Sequence, residues 1–168
     1  MKYAKIMEND TVNCMDGITV SLFMSGCPHH CKNCFNQETW NPNFGIEIEI
    51  DELCDKLNDL INAYDVHRDF SLLGGEPLAE YNRKNVARII KEIKRKNPNI
   101  LVYLWSGYTL EELKSMNDLS IDYILSTIDY LIDGRYEDDK KDSKLRMRGS
   151  SNQNVYRRMN GKLKKIEI

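Results

Sequence analysis

The sequence ITVSLFMSGCPHHCKNCF, residues 18–35, joins an apolar run to a loop with three closely spaced cysteines. Residues 18–24 are uncharged and rich in strand formers, which predicts a buried β-strand. The loop that follows has the spacing Cys27-x3-Cys31-x2-Cys34. Thiolates this close together in a chain can ligate one metal centre. The segment therefore predicts a metal-binding loop at the carboxyl end of a strand.

Strand-like and helix-like patterns alternate over much of the remaining chain. Residues 69–73 (DFSLL) and 100–105 (ILVYLW) have the composition of buried strands. Helices with one apolar face are predicted to begin at Asp51, Asn82 and Thr109. Alternation of this kind indicates right-handed βαβ units and a mostly parallel sheet.

Each predicted strand is followed by a motif with glycine or cysteine. The cysteine loop follows residues 18–24, the sequence GGE (74–76) follows the second strand, and SG (106–107) follows the third. Loops beyond the carboxyl ends of parallel strands meet at one edge of the sheet. We therefore expect these three motifs to lie close together.

The C-terminal part of the chain is basic and ends in a predicted hairpin. Residues 121–131 favour a short helix that leads into a strand at 130–132, and the Asn-Gly pair at 160–161 is typical of a hairpin turn.

Residues 140–168 carry ten Lys or Arg against two acidic residues, although the net charge of the chain is only −2. Nucleic acid binding is not indicated, because no nucleic-acid-binding motif accompanies this charge. We predict a single domain over residues 1–168 with a basic, largely solvated segment at 140–168.

Composition favours a cytoplasmic protein without a membrane span. No apolar run approaches the roughly 18–20 residues that a membrane helix needs, and residues 1–13 lack the apolar part of a signal peptide. The chain has five cysteines, whereas disulfide frameworks of small secreted domains usually have an even number. The clustering of three favours metal ligation. We expect Cys14 to be a loop residue and Cys54 a small core residue.

Two kinds of metal centre are compatible with the cysteine loop. Three thiolates can bind three irons of a cubane and leave the fourth iron open to a small molecule. Alternatively, His29 or His30 would complete a tetrahedral zinc site in a zinc-stabilised binding module. Both histidines lie in the three-residue spacer, where reaching the same metal as the flanking cysteines is strained. We therefore favour the cluster and expect His29 and His30 to be exposed loop residues.

The cysteine spacing, with Phe35 directly after the last cysteine, resembles the signature of the radical S-adenosylmethionine (SAM) superfamily. The sequence GGEP at 74–77 follows a predicted strand, as the glycine-rich motif of that superfamily does. Further stretches resemble one branch, the activating proteins of anaerobic (class III) ribonucleoside-triphosphate reductases. These stretches are FNQETW (35–40), LWSGYT (104–109), DGRY (133–136) and RGSSNQ (148–153).

The resemblance implies an enzyme that activates a glycyl-radical enzyme. A [4Fe–4S] cluster would bind SAM and cleave it reductively, and the resulting 5′-deoxyadenosyl radical would take a hydrogen atom from a glycine of the reductase large subunit. A flavodoxin or ferredoxin would donate the electron. The cluster ligands would be Cys27, Cys31 and Cys34, and the residues in contact with SAM would be Asn33, Phe35, Gly74, Gly75 and Glu76.

The resemblance also implies a fold and a class of substrate. The full radical SAM barrel has six βα units, for which 168 residues are too few. We therefore expect an α/β fold that forms a partial, open (β/α) barrel with a mostly parallel sheet. A wide mouth would admit a loop of a large protein. The alternative is a small-molecule radical SAM enzyme similar to carboxy-deazaguanine synthase, which would need added elements to close its site.

Overall fold

The computed structural model describes residues 1–168, which form one eight-stranded sheet and four α-helices. The strands are β1 (Lys2–Asp10), β2 (Thr19–Met24), β3 (Ile46–Glu47), β4 (Asp69–Gly74), β5 (Val102–Ser106), β6 (Tyr130–Asp133), β7 (Asn154–Met159) and β8 (Lys162–Ile166). The helices are α1 (Ile50–Ile61), α2 (Arg83–Lys96), α3 (Leu110–Ser115) and α4 (Leu119–Thr127), and short 3-10 turns span Gln37–Trp40 and Asp138–Lys140. Across the sheet the strand order is β3-β1-β2-β4-β5-β6-β7-β8.

The four central strands run parallel, and the outer strands are antiparallel to their neighbours. Three of the seven pairings are parallel and four are antiparallel, so the prediction of a mostly parallel sheet is wrong. The connections from β1 to β2 and from β7 to β8 are too short for the crossover that parallel strands need. The α/β class and the open sheet are confirmed, whereas these pairings do not confirm a barrel of the radical SAM type.

Helix α2 buries the apolar side that its sequence predicts, whereas helix α1 does so only in part, because Tyr64, predicted on the same side, lies beyond the end of the helix and is exposed. Helix α2 begins after Asn82 and ends at Lys96, ahead of Pro98, as its sequence predicts. Helix α1 begins slightly earlier than predicted, with Glu49 rather than Asp51 at its N-cap. The buried core side chains of the two helices are Leu53, Cys54, Leu57, Ile61, Val86, Ile89, Ile90 and Ile93. No helix in the chain has the length and apolar character needed to cross a membrane.

Strand β1 has no local pattern that predicts it. Only Tyr3 and Asp10 of its nine residues are buried, so the alternation of a half-buried strand is missing. The strand is instead held by antiparallel pairing with β2, in which Tyr3 lies opposite Met24. Its formation therefore depends on tertiary pairing.

The other face of the sheet carries a smaller apolar cluster. Tyr103 and Tyr130 stack with ring centroids 4.7 Å apart. Cys14, Val155 and Met147 pack with them, so the loops that precede β2 and β7 cover part of this face. A cavity is left where these loops meet the carboxyl ends of the central strands.

The carboxyl ends of the four parallel strands form one edge of the sheet. In the observed register, Met24 at the end of β2 lies opposite Gly74 of β4, and Ser106 of β5 lies opposite Asp133 of β6. The loops that follow these strands emerge side by side. The expectation that the cysteine loop and the motifs at 74–76 and 106–107 share one edge is confirmed.

Truncation of Ile90 should destabilise the fold without altering the cavity. Its side chain is fully buried, so Ile90→Ala should lower the free energy of unfolding by about 2–5 kcal/mol through lost burial and a residual void. Equilibrium urea denaturation of the metal-free protein under reducing conditions measures this change. Leu119, 87% exposed, is the control, and Leu119→Ala should cost less than about 0.5 kcal/mol. Equal losses in the two variants would contradict this placement of the core.

Candidate metal and cofactor site

A cavity of about 470 Å³ opens at the carboxyl edge of the parallel strands. Its wall consists of the loops that follow β2, β4, β5 and β6, together with parts of the loop before β2 and of the segment before β7. Every residue that the sequence predicts to bind metal or SAM lines it, namely Cys27, Cys31, Cys34, Asn33, Phe35, Gly74, Gly75 and Glu76. The fold therefore brings the eight residues together in one place, while their individual roles stay predictions.

Backbone hydrogen bonds hold the cysteine loop in a compact turn. At its base, the Gly26 amide donates to the Thr39 carbonyl at 2.7 Å. Further along, the Cys34 amide donates to the Cys31 carbonyl at 3.1 Å. Between these cysteines, Asn33 has a φ of +55°, in the left-handed region that asparagine tolerates better than most residues. These hydrogen bonds and the backbone conformation of Asn33 define the path of the loop.

All three loop cysteines are free thiols, and backbone amides act on each of them. The Asn36 amide donates to the Cys34 sulfur at 3.4 Å. Hydrogen bonding from the Tyr136 amide acts to lower the pKa of Cys31, and hydrogen bonding from two amides of the loop itself acts to lower the pKa of Cys27. Amides directed at sulfur favour the thiolate, which is the form that binds metal.

Burial acts against ionisation of these thiols. It raises the pKa of Cys27 to about 11, although hydrogen bonds from the amides of His29 and His30 lower it. Burial also raises the pKa of Cys31 above its usual value. A bound metal deprotonates its thiol ligands outright. Three free thiols with amide donors therefore fit an iron–sulfur cluster.

The arrangement does not favour the zinc alternative. No three Cys, His, Asp or Glu side chains of the chain are grouped so that they could share one metal ion. A structural zinc site needs four ligands on a single ion. Thiolates of a cubane bind different irons and so stand further apart than ligands of one zinc.

Glu76 is fully buried, and its carboxylate has four hydrogen-bond partners. Oε1 accepts from the Leu78 amide and from the Ser106 hydroxyl, both at 2.9 Å. Oε2 accepts from the Gly107 amide at 2.7 Å and lies 2.8 Å from Nε2 of His29. A buried carboxylate needs such partners. This one connects the cysteine loop, the GGE turn and the loop after β5.

The prediction that His29 is an exposed loop residue is wrong. Its side chain is only 5% exposed, its ring lies edge-to-face on Tyr108 at 4.5 Å, and Nε of Arg135 donates to its Nδ1 at 3.2 Å. His30 is exposed as predicted, with its ring 4.8 Å from that of Trp40. The prediction failed for His29 because its partners come from distant parts of the chain.

The glycines of the GGE turn let two stretches of backbone approach each other. Gly74 has a φ of +99°, where side chains are strained. A Cβ on Gly75 would lie 2.5 Å from the Gly26 carbonyl oxygen. The amides of Gly75 and Glu76 donate to the carbonyls of Met24 and Gly26 at 2.9 and 2.8 Å. These amides are used within the protein, so contact with a ligand would involve other atoms of the turn.

Asn33 and Phe35 point away from the core of the loop. The Asn33 side-chain amide donates to Asp138 at 2.8 Å, and the Tyr136 hydroxyl donates to the same carboxylate at 3.0 Å. These two bonds hold the pKa of Asp138 below its usual value. Phe35 is 97% exposed at the mouth of the cavity. Asn33 therefore links two loops, while Phe35 offers a free aromatic face.

Cys14 and Cys54 lie outside the cavity wall. Cys54 is buried in the main core, as predicted. Cys14 is also buried, and its thiol donates to the Gly17 carbonyl at 3.5 Å. Burial raises the pKa of both thiols, that of Cys54 to about 11. Both have the character of unreactive core residues.

Sequence reasoning missed one part of the wall, which is formed by portions of 133–136 and 148–153. Gln153 connects the two stretches: its Oε1 accepts from the Gly149 amide at 2.9 Å, and its Nε2 donates to the Gly134 carbonyl at 2.8 Å. Both stretches resemble family motifs, and this similarity was the signal that could have placed them in the site.

Comparison with known proteins identifies the family. The family model described as "4Fe-4S single cluster domain" matches residues 15–156. A protein of Pasteurella multocida (strain Pm70) named "Anaerobic ribonucleoside-triphosphate reductase-activating protein" is 37% identical over 157 residues, which cover 94% of this chain and 98% of that protein. A protein of the same name from Vibrio cholerae is 37% identical, over 94% of this chain and 98% of its own length. Another from Enterobacteria phage T4 is 32% identical, over 96% of this chain and 97% of its own length. The resemblance seen in the sequence is confirmed, and the chain belongs to the family of anaerobic ribonucleoside-triphosphate reductase-activating proteins.

Proposed function

We propose that this chain generates a glycyl radical on an anaerobic ribonucleoside-triphosphate reductase by reductive cleavage of SAM. The observation that carries the proposal is that the three free thiols of one loop line a single cavity in a member of the activating family. Cys27, Cys31 and Cys34 would hold a [4Fe–4S] cluster and leave one iron for SAM. The reductase large subunit would be the protein substrate, and a flavodoxin or ferredoxin the electron donor.

The chain itself binds and orients, because the cofactor carries the difficult step. When bound, the cluster and SAM would supply the radical chemistry, in which one electron splits SAM into methionine and a 5′-deoxyadenosyl radical that takes a hydrogen atom from glycine. The amides directed at the sulfurs favour the thiolate form of the ligands. No side chain has to act as a general acid or base.

The cavity has a size that suits a cofactor. Its volume of about 470 Å³ is in the range of small-molecule sites. Asn33 and Phe35 would border SAM, and Gly74, Gly75 and Glu76 would hold its methionine end. Because the Glu76 carboxylate already has four partners, we propose that Glu76 holds this end of SAM indirectly, by fixing the turn and the loops that would contact it.

The mouth of the cavity favours a macromolecular substrate. Val12 and Phe35 line it and are 76% and 97% exposed, although both are apolar. Exposed apolar groups around a site are typical of a surface that a partner covers. A glycine-bearing loop of the reductase would enter here.

Anaerobic reconstitution with iron and sulfide tests the ligands. The parent protein should bind about four irons and four sulfides per chain. Cys31→Ala should abolish assembly, because two thiolates leave a second corner of the cubane without a protein ligand. Cys54→Ala is the matched control, since this thiol is buried outside the cavity, and it should bind the cluster like the parent. A parent that binds one zinc and no cluster would contradict the assignment, as would SAM cleavage retained in Cys31→Ala.

The reaction is tested by adding dithionite and SAM to the reconstituted protein. We expect cluster-dependent formation of 5′-deoxyadenosine, measured by chromatography, because an iron without a protein ligand is free to bind SAM. In the presence of the reductase large subunit, electron paramagnetic resonance should show a glycyl radical. Cleavage of SAM that produces no radical on the reductase would instead favour the small-molecule enzyme.

A further inference from the structure

One side chain of the spacer between Cys27 and Cys31 turns into the protein. Pro28 and His30 are exposed, whereas the side chain of His29 is 5% exposed. It is held by groups outside the loop, at the midpoint between two proposed ligands. Whatever fixes this ring also fixes the path of the chain on both sides of it.

The hydrogen bonds of His29 define its tautomer. Nε of Arg135 is always protonated and donates to Nδ1 at 3.2 Å, so Nδ1 must be the acceptor. A neutral imidazole has one donor and one acceptor. Nε2 therefore carries the hydrogen and donates it to Oε2 of Glu76 at 2.8 Å.

Packing holds the same ring. Gly107 leaves room for it, since a Cβ there would lie 2.3 Å from Cδ2 and 2.6 Å from Nε2 of His29. The ring of Tyr108 closes another side in an edge-to-face contact at 4.5 Å. His29 thus has one permitted position, set by contacts from three other segments of the chain.

We propose that His29 is a positioning residue for the cluster, whose ring, fixed between Arg135 and Glu76, directs the amides of His29 and His30 at the Cys27 sulfur. This inference rests on the proposed cluster ligation. Hydrogen bonding from these two amides acts to lower the pKa of the Cys27 thiol, and the contacts of the ring fix the residue that carries the first of them. Hydrogen bonds to ligand sulfurs are among the factors that set the reduction potential of a cluster, and they stabilise the reduced, more negative state. Partners that orient metal ligands typically change metal affinity by about 10–100-fold.

Four substitutions separate the contacts of the ring. His29→Asn keeps an acceptor near the position of Nδ1 for Arg135 but cannot reach Glu76, whereas His29→Gln places an amide donor near the position of Nε2. Gly107→Ala displaces the ring without changing it. His30→Asn is the matched control, because His30 is exposed in the same spacer and its φ of +48° suits asparagine.

The experiment measures iron loss from the reconstituted protein to a ferrous chelator, and the midpoint potential of the cluster by redox titration. His29→Asn and Gly107→Ala should lose iron about tenfold faster than the parent and have a lower midpoint potential. His29→Gln should lose iron at a rate within about threefold of the parent rate and should recover the midpoint potential of the parent. His30→Asn should match the parent in both measurements. Urea denaturation of the metal-free variants checks that each one folds.

Two results would overturn the proposal: parent-like iron loss in His29→Asn, or a His29→Gln variant as labile as His29→Asn. If His29→Asn does not fold, the comparison of Gly107→Ala with His30→Asn decides instead. Failure of the proposed function is distinguishable, because it would be seen in the parent. If the parent binds a cluster that does not cleave SAM, the proposed function is refuted, but iron loss and the midpoint potential still decide the role of His29. If the parent binds no cluster, both proposals are refuted.

Discussion

A buried carboxylate with four hydrogen-bond partners holds the candidate site together. Removal of a charge from water is costly unless partners replace the lost hydration, so Glu76 fixes the groups around it. Its partners belong to the cysteine loop, to the turn after β4 and to the loop after β5. None of these segments can shift alone without leaving a donor or the charge unsatisfied. The site is therefore organised by a side chain that is itself inaccessible to solvent.

The centre of the sheet could be predicted from sequence, whereas its flanks could not. Strands β2, β4 and β5 are almost entirely buried and consist mainly of apolar residues, which is typical of parallel strands covered on both faces. Strand β1 has two buried residues among nine, so nothing local marks it. The antiparallel direction of β7 depends on the long segment 134–153, which leaves β6 and returns to β7 at the same edge of the sheet and lines the cavity. Strand direction at the flanks is thus a property of tertiary pairing.

The site was predictable to the extent that local motifs carry it. Cysteine spacing and strand order placed the loops, but the position of the His29 ring depends on residues 47 and 106 positions away, which no local pattern reveals.

The basic segment 140–168 does more than its charge predicts, since it is not simply a solvated segment. Arg148 lines the cavity, and Arg158 donates to the Ile128 carbonyl at the end of α4 at 2.8 Å, where positive charge complements the helix dipole.

The open sheet ends in two strands whose outer edges have no partner. Strand β3 has only two residues, and β8 (KLKKI) has three lysines among its five. An uncovered edge can pair with another chain and start aggregation, and short or lysine-rich edges oppose this. The lysines of β8 therefore oppose pairing of this edge with an edge of a second copy, because like charges repel each other. A sheet that never closes can in this way be protected at its edges while its carboxyl end stays open.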